Sequence, residues 1–127
     1  MKKKIRILAG QVTADAELNE SKTAQLIWEG LPIEAAVHLW GEEIYFPIPV
    51  AAGQEEGARE VVSAGELAYW PPGKAFCIFF GPTPASRGKE IRAASAVTVI
   101  GNVLSDPKLF LNVKDGEKVL LEKAQPA

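Results

Sequence analysis

Apolar and polar residues alternate with a period of two through much of this chain, the pattern of half-buried strands. Ile5, Ile7 and Ala9 on one side of Gly10-Gln11 match Val12, Ala14, Ala16 and Leu18 on the other. A two-residue loop with glycine first fits a type II′ turn, which predicts a hairpin of Lys3 to Ala9 with Val12 to Leu18. Pairing Ala9 with Val12 sets Arg6 opposite Asp15 and Lys4 opposite Glu17, while Ile5 and Ile7 face Ala16 and Ala14. Opposite charges then share one face and apolar residues the other, as a half-exposed antiparallel pair requires.

The period then becomes helical. Ala24, Ile27, Trp28 and Leu31 recur at helix spacing, Asn19 or Ser21 can cap the start, and Gly30 to Pro32 ends the run. One helix is predicted over about residues 20 to 30, with Trp28 in its apolar stripe. Alternation resumes in Ile33 to Trp40, where Ile33, Ala35, Val37 and Leu39 face inward, and in Glu43 to Ile48 beyond a tight turn at Gly41-Glu42. Pro47 and Pro49 stop regular pairing. Ala51 to Glu60 has no clear period and reads as an exposed loop. Ser95 to Leu104 is another strand, Asp106-Pro107 starts a short helical turn carrying Leu109, Phe110 and Leu111, and Asp115-Gly116 marks a hairpin turn before a last strand, Glu117 to Glu122. Residues 122 to 127 read as a frayed tail.

Between these lies the most distinctive segment, Gly65 to Pro84, GELAYWPPGKAFCIFFGPTP. Leu67 to Trp70 and Ala75 to Phe80 are aromatic and apolar, suited to a pleated buried surface. Pro71-Pro72-Gly73-Lys74 matches a type II turn, with Pro72 presetting φ and Gly73 taking the positive φ. Phe76, Ile78 and Phe80 fall on one face of the second strand and Ala75, Cys77 and Phe79 on the other. Both faces being apolar, this strand is expected to be covered on both sides, as in a barrel wall that also carries a helix.

Gly65 to Pro84, continued by ASRGKEIRAASAVTVIGNV from Ala85 to Val103, resembles a prokaryotic family of small cyclophilin-like domains of unknown function. SKTAQLIWEGLPIEA, Ser21 to Ala35, is similar to the same family, so the likeness spans most of the chain. Glu66 stands where the family often has aspartate. The resemblance implies a mainly β protein, a closed cyclophilin-like β-barrel of six to eight strands with one principal α-helix. It implies no activity. True cyclophilins carry Phe-His-Arg and Gly-Ser-Gln-Phe-Phe motifs and set an arginine beside apolar and aromatic residues. Neither motif is present, so prolyl cis-trans isomerase activity is not expected.

Composition adds bounds rather than chemistry. A chain of 127 residues, 47% hydrophobic and 24% charged, is one ordinary globular domain spanning residues 1 to 127. A net charge of −2 gives no electrostatic reason to expect nucleic acid. No segment approaches the ~20 apolar residues of a membrane span. The apolar run after Met1 to Lys4 is too short for a signal peptide, and one cysteine, Cys77, allows no internal disulfide. The expected location is cytoplasmic, as a monomer or homodimer.

Catalytic motifs are missing. His38 is the single histidine, and Glu34 shares its strand face two pleats away. No nucleophile elbow surrounds Ser86 or Ser95, no glycine pattern cradles phosphate, and no spacing suggests a metal site or any cofactor. Glu55-Glu56 reads as a solvated pair. What remains is the loop leaving the aromatic strand, where Thr83, Ser86, Arg87, Lys89 and Arg92 crowd together with Glu90 among them. Its guanidiniums can clamp a carboxylate or phosphate beside Tyr69, Trp70 or Phe79. The sequence therefore points to a protein that binds a small anionic ligand or a peptide. An enzyme of unknown reaction with a site in the barrel mouth and a structural or interaction module are the alternatives.

Overall fold

The computed structural model describes residues 3–124, so the leader reading at Met1-Lys2 and the last three residues of the predicted tail lie outside the described part. Among the described residues, ten strands, one α-helix and two short 3-10 segments follow each other in sequence. The first hairpin pairs β1 (Lys3–Ala9) with β2 (Val12–Leu18) in the predicted register, Arg6 opposite Asp15 and Ile7 opposite Ala14. Gly10 takes φ +58 while Gln11 stays out of the left-handed region, the type II′ pattern.

The helix, α1 (Lys22–Glu29), is capped by Ser21, whose Oγ accepts from the Ala24 N–H. Ala24 and Ile27 are fully buried in the main core, and Trp28 and Leu31 pack against it half-buried. The strand predicted from Ile33 to Trp40 is divided at Val37 into β3 (Ile33–Ala36) and β4 (His38–Leu39). Val37 bonds to neither sheet partner; its N–H donates to the Glu117 carbonyl and its own carbonyl accepts from Gly116. β5 (Glu43–Pro47) returns beside β4 and ends at proline as expected.

β6 (Arg59–Val62) lies where an exposed loop was expected to run to Glu60. Its residues are mostly exposed, so no apolar alternation announces it; its partner, the bent long strand β9 (Ile91–Val103), creates it. β7 (Glu66–Trp70) and β8 (Ala75–Phe79) flank the double-proline turn. That turn corrects the prediction. Pro71–Gly73 is a 3-10 turn closed by the Lys74 N–H to the Pro71 carbonyl, and the left-handed residue is Lys74, φ +47, not Gly73. The turn at Gly116, φ +88, precedes β10 (Lys118–Lys123) but makes no hairpin, because the segment before it is the 3-10 stretch Pro107–Asn112 and β10 pairs with β1 and β3.

The main sheet runs β3-β10-β1-β2-β9-β7-β8-β5-β4, with β6 added on β9. Among the described residues its hydrogen bonds do not close it, so the closed barrel expected from the resemblance is not what the pairing shows, and its ten strands exceed the expected six to eight. The two ends of the path, β3 and β4, are instead joined through the chain by Val37 alone.

One face of the sheet holds the main core, including Ile5, Ile7, Phe46, Tyr69, Phe76 and Phe110. The β7–β8 pair is covered on its other face too, as the sequence demanded. Ala68, Ala75, Cys77 and Phe79 pack there against Val62, Ile91, Ala93 and Val97 in a second cluster. The cover comes from β6 and the first half of β9, not from a helix. Each fully buried side chain the size of Phe79 adds roughly 1.5–3 kcal/mol of hydrophobic stabilisation. Among the described residues, no helix is long and apolar enough to cross a membrane.

Candidate functional site

Beside the second cluster lies a cavity of about 230 Å³. Its walls are Trp40, Tyr45 and Trp70 on one part and Ala93, Ala94 and Val97 on another, with Glu43 among them. Strand alternation explains the grouping. On β5, Ile44 and Phe46 enter the main core, which leaves Glu43 and Tyr45 on the opposite face.

Trp40 is held at the tip of the β4–β5 hairpin, where its N–H donates to the Glu43 carbonyl at 2.9 Å. Gly41, φ +62, lies against Thr83 and Pro84, and Glu42 exchanges backbone bonds with Phe80 and Pro82. The tip is thereby fastened to the strand exit instead of hanging in solvent. Trp70 is oriented by its indole N–H, which donates to Ser95 Oγ at 2.7 Å. The face of the same indole covers Gly73, where a Cβ would come within 2.8 Å of the ring. Glycine is needed there for close approach, not for a special φ. His38 stacks on Tyr45, centroids 5.2 Å apart, one layer further out.

Glu43 gives the cavity its chemistry. It is only 6% exposed, and burial pushes its carboxyl up to about 7, opposed in small part by the neighbouring Cys77 thiol. Burial also pushes the Cys77 thiol well up, and the Glu43 charge adds to this, so Cys77 stays a thiol, its Sγ donating to the Ala75 carbonyl at 3.8 Å, and is no thiolate nucleophile.

The residues expected to form an anion site are distributed differently. Trp70 lines the cavity. Tyr69 is fully buried in the main core, its hydroxyl donating to the Val50 carbonyl at 2.7 Å, and Phe79 is fully buried in the second cluster, so neither offers a free face. Thr83 and Ser86 organise the loop: Thr83 Oγ1 bonds to the Arg92 carbonyl, and Ser86 Oγ accepts from the Thr83 and Arg92 N–H groups. Arg92 pairs with Glu90 at 2.8 Å and Glu60 at 3.1 Å. Arg87 is exposed on the loop. The guanidinium of Arg92 is thus already paired with two carboxylates. Glu55 is not a merely solvated charge either. It accepts from the Thr23 N–H at 2.8 Å and from the Thr23 hydroxyl, which lowers its pKa and ties its loop to the start of α1.

Sequence reading missed Trp40, Glu43, Tyr45 and the alanines. A signal existed: across the β4–β5 turn, Trp40, Glu43 and Tyr45 share the face opposite the inward residues, an acid on an otherwise aromatic surface. A charge next to Gly41-Glu42 reads as part of the turn until the bend of β9 covers it.

The sequence profile of the cyclophilin-like family matches residues 3–122. The chain belongs to the cyclophilin-like family. Among solved structures it is similar to the solution structure of a hypothetical protein from Archaeoglobus fulgidus, with 42% identity over 97% of this chain and 95% of that one and a TM-score of 0.82. No curated protein matches the chain.

Proposed function

We propose that this cyclophilin-like protein binds a small molecule, or one side chain of a peptide, in the cavity between Trp40, Tyr45 and Trp70, without prolyl-isomerase chemistry. The observation that carries the reading is a mostly apolar cavity, walled by two indoles and a phenol, that holds one buried carboxyl. Concave apolar sites with few placed polar groups are how small ligands are recognised. At about 230 Å³ the cavity lies below the ~300–1,000 Å³ of drug-sized pockets, so it takes a compact group. Isomerase chemistry lacks support because the cyclophilin motifs are missing from the sequence and no arginine lines the cavity. Closure into a barrel through β3, Val37 and β4 belongs to the same reading, since it would hold the β4–β5 hairpin rigid beneath the ligand.

The enzyme alternative rests on the same carboxyl: a Glu with a pKa of about 7 is suited to general acid–base work, and turnover of a bound compound would establish it. An anionic ligand at the loop rests on exposed Arg87 and Lys89 alone. The cavity reading is tested by a thermal-shift screen of compact aromatic and aliphatic fragments on the native protein and on Ala94→Phe. Ala94 is exposed and lines the cavity, so phenylalanine obstructs the site at little cost to folding. A fragment at 100 times its dissociation constant adds about 2.7 kcal/mol to the native protein. That gain should vanish in Ala94→Phe. Equal shifts in both proteins, or none in either, would overturn the reading.

A further inference from the structure

We infer that the cavity recognises a primary ammonium group on a small aromatic or branched apolar body, with the Glu43 carboxylate as its counter-ion. The inference rests on the cavity reading above and names its ligand class. Among the lining residues Glu43 is the one carboxyl, and no lysine, arginine or histidine accompanies it. The nearest guanidinium in sequence, Arg92 beside Ala93, turns to Glu60 and Glu90. A buried carboxylate without a cation is poorly solvated, and an incoming ammonium supplies the missing charge. Trp40, Tyr45 and Trp70 add ring faces, whose negative quadrupoles favour cations. The same charge repels carboxylates and phosphates.

A carbonyl ligand is the competing occupant, because a protonated Glu43 can donate to it. The aromatic walls Trp40, Tyr45 and Trp70 decide against this occupant, since they favour a cation over a neutral carbonyl. The two occupants also differ in sign with pH. The groups facing Glu43 from its neighbours are the Cys77 thiol on β8, the Tyr45 phenol on its own strand, and His38 on β4, one layer beyond Tyr45. From β7 and β9 the cavity receives only Trp70, Ala93, Ala94 and Val97, none of them charged. Glu42 lies over the Gly81 backbone. With the carboxyl at about 7, ammonium binding tightens on the order of tenfold from pH 6 to pH 8, and carbonyl binding weakens.

The test is calorimetry of the full chain at pH 6 and pH 8 with phenylethylammonium, phenylethanol and phenylacetate, repeated on Glu43→Gln, His38→Gln and Ala94→Phe. The ammonium should bind more tightly than the alcohol or the acetate. Its affinity should rise about tenfold toward pH 8, an increase that Glu43→Gln abolishes and His38→Gln preserves. Equal or tighter binding of the alcohol or acetate, lost in Ala94→Phe, removes the ammonium while leaving the cavity reading intact. Tighter ammonium binding at pH 6 overturns the inference in the same way. Failure of all three probes overturns it outright, and failure of the fragment screen as well removes the cavity reading beneath it.

Discussion

An ionised Glu43 is a cost the fold carries for having a carboxyl in an apolar cavity. Its folded pKa, about 7, lies above the usual value of 4.5, so the folded state holds this proton more tightly than the unfolded chain. The associated stability is complete below pH 4.5 and is lost as pH rises to about 7, on the order of 3 kcal/mol in all. Glu55 acts in the opposite sense, its lowered pKa giving stability that is lost as pH falls. Denaturant midpoints of native protein and Glu43→Gln across pH 4 to 8 separate the two. The variant should gain relative stability as pH rises; a constant difference would mean that Glu43 is solvated. At the neighbouring turn, Gly73→Ala should destabilise by on the order of 1–3 kcal/mol, because its methyl meets the Trp70 ring. Lys74→Gly should raise stability by up to about 1 kcal/mol, because glycine accepts φ +47 without a Cβ penalty. A type II turn would give the reverse for Lys74, and chemical denaturation of the two variants decides.

Between elements, backbones approach closely where β9 pairs with β2. A Cβ at Gly101 would overlap the Glu17 carbonyl, and backbone there has no rotamer with which to give way. Gly101→Ala is expected to cost more than 2 kcal/mol in denaturant unfolding, whereas a loss below 0.5 kcal/mol would show the strands further apart. Arg92→Ala should lower stability by about 1 kcal/mol through its two ion pairs to Glu60 and Glu90, with Arg87→Ala near zero. The local elements were largely legible. The β1–β2 register followed from Arg6, Asp15, Lys4 and Glu17, and the two-faced burial of β8 followed from Phe76 to Phe80. Illegible were the elements made by distant partners. β6 exists because β9 bends over it, and Val37 breaks its strand because Glu117 and Gly116 take its backbone bonds.

For the whole molecule, two apolar clusters on opposite faces of one sheet leave the cavity at the rim of the smaller, where β4, β5, β7 and β9 meet. Residues separated along the chain, Trp40 and Glu43 on one hairpin and Ala93 to Val97 on a strand far downstream, become one site only through that packing. Of the residues the sequence placed at a site, Trp70 lines the cavity. The cationic loop drew attention because its charges lie together in sequence, while the structure has already paired Arg92 with Glu90. The three tryptophans provide the direct test. Trp40 and Trp70 line the cavity, whereas Trp28 sits on α1 against the main core, with Lys123 Nζ 4.8 Å from its ring centroid. Nitrogen-15 NMR of the three indole N–H resonances, followed while a fragment from the thermal screen is titrated in, should show Trp40 and Trp70 shifting together with Trp28 unmoved. A shift at Trp28 equal to theirs, or stationary Trp40 and Trp70 signals at saturating fragment, would place the ligand elsewhere and contradict the proposed site.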